Sequence, residues 1–560
     1  MVSNDTIKDT TQLSQSPEHP GVSHGKRHTH REARGHPTAK AVQAYLAPMG
    51  KIRQRLTGAM AAFAGALTLV SCVGGTLNNR LADYAGTDQE LCVDPPQGTV
   101  IDQTTSAQLT DSTATWAYVL EEGEEAVFTR AWLSEHAGKT IDIQYFIFSM
   151  DNIGIIALDY LLRAADRGVQ VRMLVDDIML DVALNDVQAL NAHPHIDIRV
   201  YNPTPGKNVV AKASAAVRDF QGFNQRMHNK TFIVDGAVAI TGGRNIADEY
   251  FDYDQAYNFR DRDVMLVGAG ARAVRQSFET FWADPLAVTL GEAPEDVNTE
   301  ELYHKIQAYA CDEENFWPEI RALIDGIPDA IPAIIASGRL HRIQDFQFIS
   351  DAPGKNDSDT FHGGGLTTTA LTACVAAARE SVMIQSPYLI LTPDGLQLFA
   401  DAVARGVEVT ILTNSLCSTD NLEAFNGYQR IRQQLLSAGV RVFEYRPDAA
   451  IRRQLITAEK QKRAGYEPVF GLHAKSMVVD HAQVVIGTFN LDPRSANLNT
   501  ECAAIMTSEA MAAQVESLMT QELMPENAWQ TTTSWNPDAE AGVWKRFQCW
   551  LRGLVPSSIL

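Results

Sequence analysis

One pattern occurs twice in this chain and restricts its fold more than any other feature. The first copy reads His228-Asn229-Lys230-Thr231-Phe232-Ile233-Val234-Asp235. The second reads His473-Ala474-Lys475-Ser476-Met477-Val478-Val479-Asp480. Both are H-x-K-x-x-x-x-D. Gly242 and Asn245 stand as far beyond His228 as Gly487 and Asn490 stand beyond His473. A lone His-x-Lys is ordinarily packing beside a surface charge. Two copies in register predict two half-sites built to face each other.

Spacing fixes the local structure. Residues 231–234 and 476–479 are β-branched and apolar, so each motif begins a buried strand. Asp235-Gly236 and Asp480-His481 read as turns, and 237–240 and 483–486 as return strands. Residues two apart on a strand share a face, so His228 projects with Lys230 and His473 with Lys475. Each pair sets an imidazole beside an ammonium, which suits an anion that must also be attacked. Asn245 and Asn490 follow in polar turns and can donate amide hydrogen bonds to that anion. Asp235 and Asp480 complete the motifs. As turn residues they suit bracing a hairpin better than chemistry, because aspartate there readily bonds its own backbone.

The repeat extends upstream. Residues 141–146 and 382–388 read as strands, 158–167 and 396–405 as helices, and 169–174 and 407–412 as second strands after Gly168 and Gly406. This is a βαβ unit, which favours a parallel sheet covered by helices. The fold class is α/β, with two tandem α/β/α sandwich domains about a pseudo-twofold axis and the active site between them.

The paired motifs resemble the phospholipase D superfamily. The strings Arg226-Met227-His228-Asn229-Lys230, Gly242-Gly243-Arg244-Asn245-Ile246 and Phe489-Asn490-Leu491-Asp492-Pro493-Arg494-Ser495, with Asn499-Thr500-Glu501 soon after, are similar to bacterial cardiolipin synthases, most of all the C type. The resemblance runs from about residue 115 to the C-terminus. It implies a two-step phosphoryl exchange without metal or other cofactor. One histidine attacks the phosphodiester, and the other protonates the leaving alcohol and deprotonates the incoming one. By this analogy His228 is the nucleophile and His473 the acid/base. Lys230, Lys475, Asn245 and Asn490 would hold the phosphate oxygens. An acidic residue behind each ring would set its tautomer. The candidates are Asp263 and Glu501, at matching strand starts, with Asp261 the alternative on the first side. Arg494-Ser495 either touches phosphate or caps the next segment.

The N-terminal region is distinct. Residues 1–48 are polar and His-rich, the composition of a disordered tail or of a mis-annotated extension whose true start is Met49. Lys51, Arg53 and Arg55 precede an apolar run over 56–70 that ends in Leu69-Val70-Ser71-Cys72. This reads as a secretory signal over 49–71. The cysteine resembles that of a bacterial lipoprotein, with Cys72 the lipidated residue. The remaining cysteines show no C-x-x-C spacing, and Cys374 and Cys502 sit in apolar runs. An exported chain could pair others, such as Cys92.

The formal net charge is -21. Such a chain repels nucleic acid at long range, which disfavours the nuclease reading of the same motifs. It also repels anionic lipid, so membrane contact needs local features. One is the lipid on Cys72. The other is the stretch 543–555, where Trp544, Phe547, Trp550, Leu551 and Leu554 share a helical face and Lys545, Arg546 and Arg552 lie towards the other. This predicts an interfacial helix with its bases near phosphates. A helix packed on the protein's own core is the plainer alternative.

The expected organisation is a tail over 1–48, a signal over 49–71, a linker over 72–113, a first domain over 114–289, a connector over 290–337, a second domain over 338–525 and a tail over 526–560. The expected activity is phosphatidyl transfer between phospholipids, cardiolipin synthase-like, at a membrane surface on the exported side. Alternatives are a phospholipase D-type hydrolase, a nuclease and a non-catalytic lipid-binding lipoprotein.

Overall fold

The computed structural model describes residues 98–106, 113–177, 184–203, 225–292, 298–316, 330–355, 364–456 and 467–553, with single positions such as Tyr84 and Arg321 between them. The tail over 1–48, the signal, Cys72 and Cys92 lie outside the described residues.

The first sheet is built from β1 (Thr115–Leu120), β2 (Thr140–Tyr145), β3 (Gln170–Asp176), β4 (Ile196–Tyr201), β5 (Thr231–Val234) and β6 (Val238–Gly242). After β7 (Tyr257–Arg260), it takes in β8 (Asp263–Gly268), β9 (Ala287–Thr289) and β10 (His341–Ile343). The order is β10-β1-β8-β6-β5-β2-β3-β4-β9. The second sheet comprises β11 (Asp345–Ser350), β12 (Ser381–Gln385), β13 (Glu408–Asn414) and β14 (Arg441–Tyr445). After β15 (Val469–Leu472) come β16 (Ser476–Val479), β17 (Gln483–Gly487), β18 (Cys502–Thr507) and β19 (Ala528–Thr531). Its order, β11-β18-β17-β16-β12-β13-β14-β19, repeats that of the first sheet without the edge strand β10.

Both sheets are mixed rather than parallel throughout. β2-β3-β4 and β12-β13-β14 are parallel, as the βαβ units require. The motif hairpins β5-β6 and β16-β17 add antiparallel strands beside them. The connecting helices, Asn152–Asp166 and Pro393–Ala404, begin earlier than the apolar pattern suggests. Asp151 and Thr392 cap them by accepting the N–H of Gly154 and Gly395. Two boundaries also differ. β10, expected in the second domain, pairs with β1 at the edge of the first sheet. β19, expected in the tail, pairs with β14.

The strand alternation sends one face of each sheet to its own helices and the other to its partner. Ile233, Ala239, Val264 and Leu266 of the first sheet share a buried cluster with Val478, Val484, Ile486 and Met506 of the second. That shared core fixes how the two motif hairpins meet. The C-terminal helix Val543–Arg552 packs on the Leu422–Ser437 helix through buried Cys549. Its bases do not all point to solvent, contrary to expectation. Lys545 donates to the carbonyls of Cys417 and Thr419, and Arg552 pairs with Glu423. Two of the three cations therefore fasten the helix to the domain.

Candidate active site

Each histidine is held by the opposite half. The backbone N–H of His228 donates to the carbonyl of Thr500, and that of His473 to the carbonyl of Arg260. The residue after each accepting carbonyl is the carboxylate that meets the ring. His228 Nδ1 lies 2.8 Å from Glu501, and His473 Nδ1 lies 2.6 Å from Asp261. Backbone and side chain thus cross the interface together. β15 and β7 extend one crossing as a parallel pair, with Leu472 opposite Arg260.

Asp263, the first expectation on the first side, does not orient a histidine. It pairs with Arg130 and Arg244. The reason is register. Gly242 lies opposite Asp263, whereas its counterpart Gly487 lies opposite Ala503. Counting back equally from those partners matches Glu501 with Asp261.

The two carboxylates are held differently. Glu501 accepts from the Ser495 hydroxyl at 2.7 Å and also from the Thr488 hydroxyl. Asp261 accepts from the N–H of Arg262 at 2.8 Å. Gly243 occupies the place of Thr488 in the first half, and any Cβ there would collide with the Asp261 carboxylate. Asp492, not Ser495, caps that helix by accepting the Ser495 N–H, and the Ser495 hydroxyl bonds a carboxylate. Tyr250 occupies the place of Ser495 and stands edge-on to the His473 ring, with Phe259 also against it. Phe146 packs edge-on to His228.

Burial dominates the electrostatics. It pushes the His228 imidazole down to about 4, with Glu501 opposing and Lys230 and Lys475 assisting. It pushes His473 down to about 3, assisted by Lys475 and opposed by Asp261. Lys230 and Lys475 are likewise lowered by burial, to about 7 and about 8. Glu501 and Asp261 are held below the usual carboxylate range. Burial alone would raise both, but His228 and His473 outweigh it. Both lysines disfavour the charged form of each histidine. Each lysine donates to the carbonyl of its own histidine, and Lys475 also brings its ammonium within 3.0 Å of both ring nitrogens of His473.

The asparagines stand beside this centre. Asn245 accepts the N–H of Ile147 and bonds Tyr250. Asn490 keeps a buried side-chain oxygen without a partner. Asp235 and Asp480 lie elsewhere, at the far ends of their strands and in the left-handed region. Asp235 accepts the N–H groups of Gly138, Lys139 and Thr140. Asp480 accepts those of Arg379, Glu380 and Ser381. Each carboxylate moors the start of β2 or β12, not its own hairpin, and reaches neither histidine. Among the described residues no three His, Cys, Asp or Glu side chains form a metal-ligand group.

A charged network unforeseen from the sequence lies behind the centre. Arg260 bridges Glu522 and Glu121, and Arg262 pairs with Glu121 and donates to Gln385. Gln385 in turn donates to Glu522. Arg260 and Arg262 flank Asp261 in the sequence, and that alternation of charge was its only signal.

A doubled fold with two carboxylate-backed histidines and two lysines at its interface defines a phosphodiester-processing enzyme. A profile described as "Cardiolipin synthase, PLD-like domain" matches residues 133–282 and 371–523. Cardiolipin synthase C of Escherichia coli (strain K12) is 34% identical over 74% of this chain and 85% of that protein. An uncharacterized protein of Helicobacter pylori (strain ATCC 700392 / 26695) is 33% identical over 71% of this chain and 77% of its own. The solved phosphatidylserine synthase of Haemophilus influenzae Rd KW20 superposes with a TM-score of 0.54 at 15% identity, over 82% of this chain and 100% of that one. That likeness is one of fold. The chain belongs to the PLD-like cardiolipin synthase family and is an enzyme of that phosphatidyltransferase kind.

Proposed function

We propose that the enzyme joins two phospholipids into cardiolipin or a related product through a phosphohistidine. The observation that carries this is the crossed pair of buried His–carboxylate contacts flanked by Lys230 and Lys475. With Nδ1 of His228 committed to Glu501, Nε2 is the atom left for attack. Nε2 of His228 bonds to phosphorus as the P–O bond to the leaving alcohol breaks. His473 delivers its proton to that alkoxide. It then takes the proton of the incoming hydroxyl, whose oxygen displaces His228 and restores the phosphodiester. Lys230, Lys475, Asn245 and Asn490 offset the charge on the non-bridging oxygens.

The order of roles rests on the asymmetry between the lysines. The Lys475 ammonium disfavours a second positive charge on His473. A phosphate oxygen is a better partner for that ammonium, so substrate arrival and protonation of His473 favour each other.

The membrane is reached through the C-terminal helix. Val543, Trp544, Phe547, Trp550 and Leu551 are all exposed, and the aromatic rings stack in a row from Trp544 through Phe547 to Trp550. An apolar face of this size on a helix already fastened from behind suits insertion at the headgroup level. No described helix is long and apolar enough to cross a membrane. Cys311 is disulfide-bonded, which fits an oxidising, exported setting. The lipid anchor at Cys72 belongs to the same reading.

The test is product analysis. Purified protein with phosphatidylglycerol, alone or with phosphatidylethanolamine, should yield cardiolipin as the main phosphatidyl product, with the adduct trapped on His228. Free phosphatidate as the main product would make the enzyme a hydrolase. Cleavage of plasmid DNA under the same conditions would favour a nuclease.

A further inference from the structure

The two halves repeat one cavity position, and only the first half fills it. There, a residual space of about 30 Å³ is lined by Arg130, Tyr145, Phe148, Phe232 and Phe251. In the second half the corresponding cavity measures about 710 Å³ and is lined by Leu371, Ser386, Leu398, Met477 and Ala496 among others.

The motif register shows where the volume went. Phe232 and Met477 each stand two residues beyond the motif lysine. Phe251 and Ala496 stand equally far beyond Asn245 and Asn490. Tyr145 and Ser386 each follow the glutamine that pairs across to Thr231 or Ser476. Three aromatic rings of the first half are therefore a methionine, an alanine and a serine in the second. Arg130, which bonds Tyr145 and Asp263 on the helix Gly123–Glu135, gives way to apolar Leu371 on Leu366–Ala377.

The opened cavity adjoins the active site. Lys475, which contacts the His473 ring, lines the cavity together with Met477 of β16. Among the described residues its charged lining is confined to Lys475, Asp394 and Asp492. The helix forming its outer wall, Leu366–Ala377, carries no charged side chain. A volume of this size lies within the range of about 300–1,000 Å³ typical of ligand sites. An apolar space beside a phosphate-binding lysine matches a ligand that joins hydrocarbon to a phosphodiester.

We propose that this cavity holds one acyl chain of the phospholipid whose phosphate lies between His228 and His473. The proposal rests on the phosphatidyl-transfer reading and adds to it that substrate recognition is one-sided, with the acyl chain entering the second half. The chain enters past Met477, between the sheet and the helices Leu366–Ala377 and Pro393–Ala404.

Monomeric, short-chain phosphatidylglycerols of increasing acyl length test it. For the native enzyme kcat/KM should climb by about fourfold for each methylene that enters the cavity. Leu371→Trp should flatten that climb while leaving turnover of a soluble phosphodiester without acyl chains unchanged. An unaltered climb in L371W overturns the proposal. A variant-free readout guards against misfolding. Phosphatidylglycerol with a photoreactive diazirine at the end of one acyl chain should label peptides within residues 366–399 of the native protein, and labelling confined to other regions overturns the proposal. Absence of turnover on every phospholipid would instead reject the functional reading, while the labelling result would still decide the cavity.

Discussion

The Nδ1 atom of His228 lies 2.8 Å from the carboxylate of Glu501, a residue of the opposite half. His473 repeats the relationship with Asp261 in the reverse direction. The carboxylate fixes the tautomer, so replacing it by an amide should leave the ring in place but in the wrong protonation state. Glu501→Gln and Asp261→Asn should each lower kcat/KM by a factor on the order of 10²–10⁴. Asp263→Asn should leave the histidine tautomers unaltered. Nitrogen-15 NMR of the imidazoles alongside steady-state rates checks both statements.

The pH profile follows from burial. Lys230 and Lys475 are lowered to about 7 and about 8, and His228 to about 4. The lysines bind phosphate only when charged, and His228 attacks only when neutral. The kcat/KM profile should therefore fall above pH of about 7, more steeply beyond about 8, and below pH of about 4. Lys475→Arg keeps its charge at all accessible pH. Its alkaline limb should keep the fall from about 7 set by Lys230 and lose the steeper part beyond about 8.

The charged network behind the site should govern acid stability. Burial pushes the Glu121 carboxyl up, but Arg262 and Arg260 outweigh it and hold it at about 2. A carboxyl lowered on folding stabilises the fold above its ordinary value, about 4.5, and that contribution fades as pH falls towards about 2. Arg262→Leu leaves Glu121 with less compensation and should cost about 3–5 kcal/mol at neutral pH. The deficit should shrink through the same acid window. Denaturant titrations at several pH values measure it.

The motif aspartates should behave as structural residues. Asp480→Ala removes the acceptor for three backbone N–H groups at the start of β12 and should cost about 1–3 kcal/mol. Well below its melting temperature the variant should keep kcat/KM within about threefold of native. A rate loss comparable to that of Glu501→Gln would return Asp480 to the chemistry.

Membrane binding should depend on the exposed aromatic row. Trp544→Ser with Trp550→Ser should weaken partition onto vesicles by on the order of tenfold per ring, without loss of fold. Lys545→Ala should act differently, by loosening the helix from the carbonyls of Cys417 and Thr419. Vesicle sedimentation combined with tryptophan fluorescence separates the two effects.

The repeat made the fold and the centre legible. Strand alternation alone pairs His228 with Lys230, and in-register copies imply an interface. What stayed hidden depends on distant partners. Nothing near Asp235 indicates that it moors the backbone of Gly138 to Thr140. The choice between Asp261 and Asp263 turned on a ladder register that appears only when β8 is paired with β6. The helix starts were misread because a cap leaves no trace in apolar periodicity. The two cavities were out of reach, since they emerge only when Phe251 and Ala496 are set in equivalent places.

The crossed bracing ties the heredity of the two repeats. A change at Thr500 disturbs the histidine of the first repeat, and one at Arg260 that of the second. Each repeat therefore answers for the other's histidine, although the bracing residues themselves differ, Arg260 standing for Thr500 and Asp261 for Glu501. The cavity position differs likewise, with aromatic rings in the first repeat and Met477, Ala496 and Ser386 in the second.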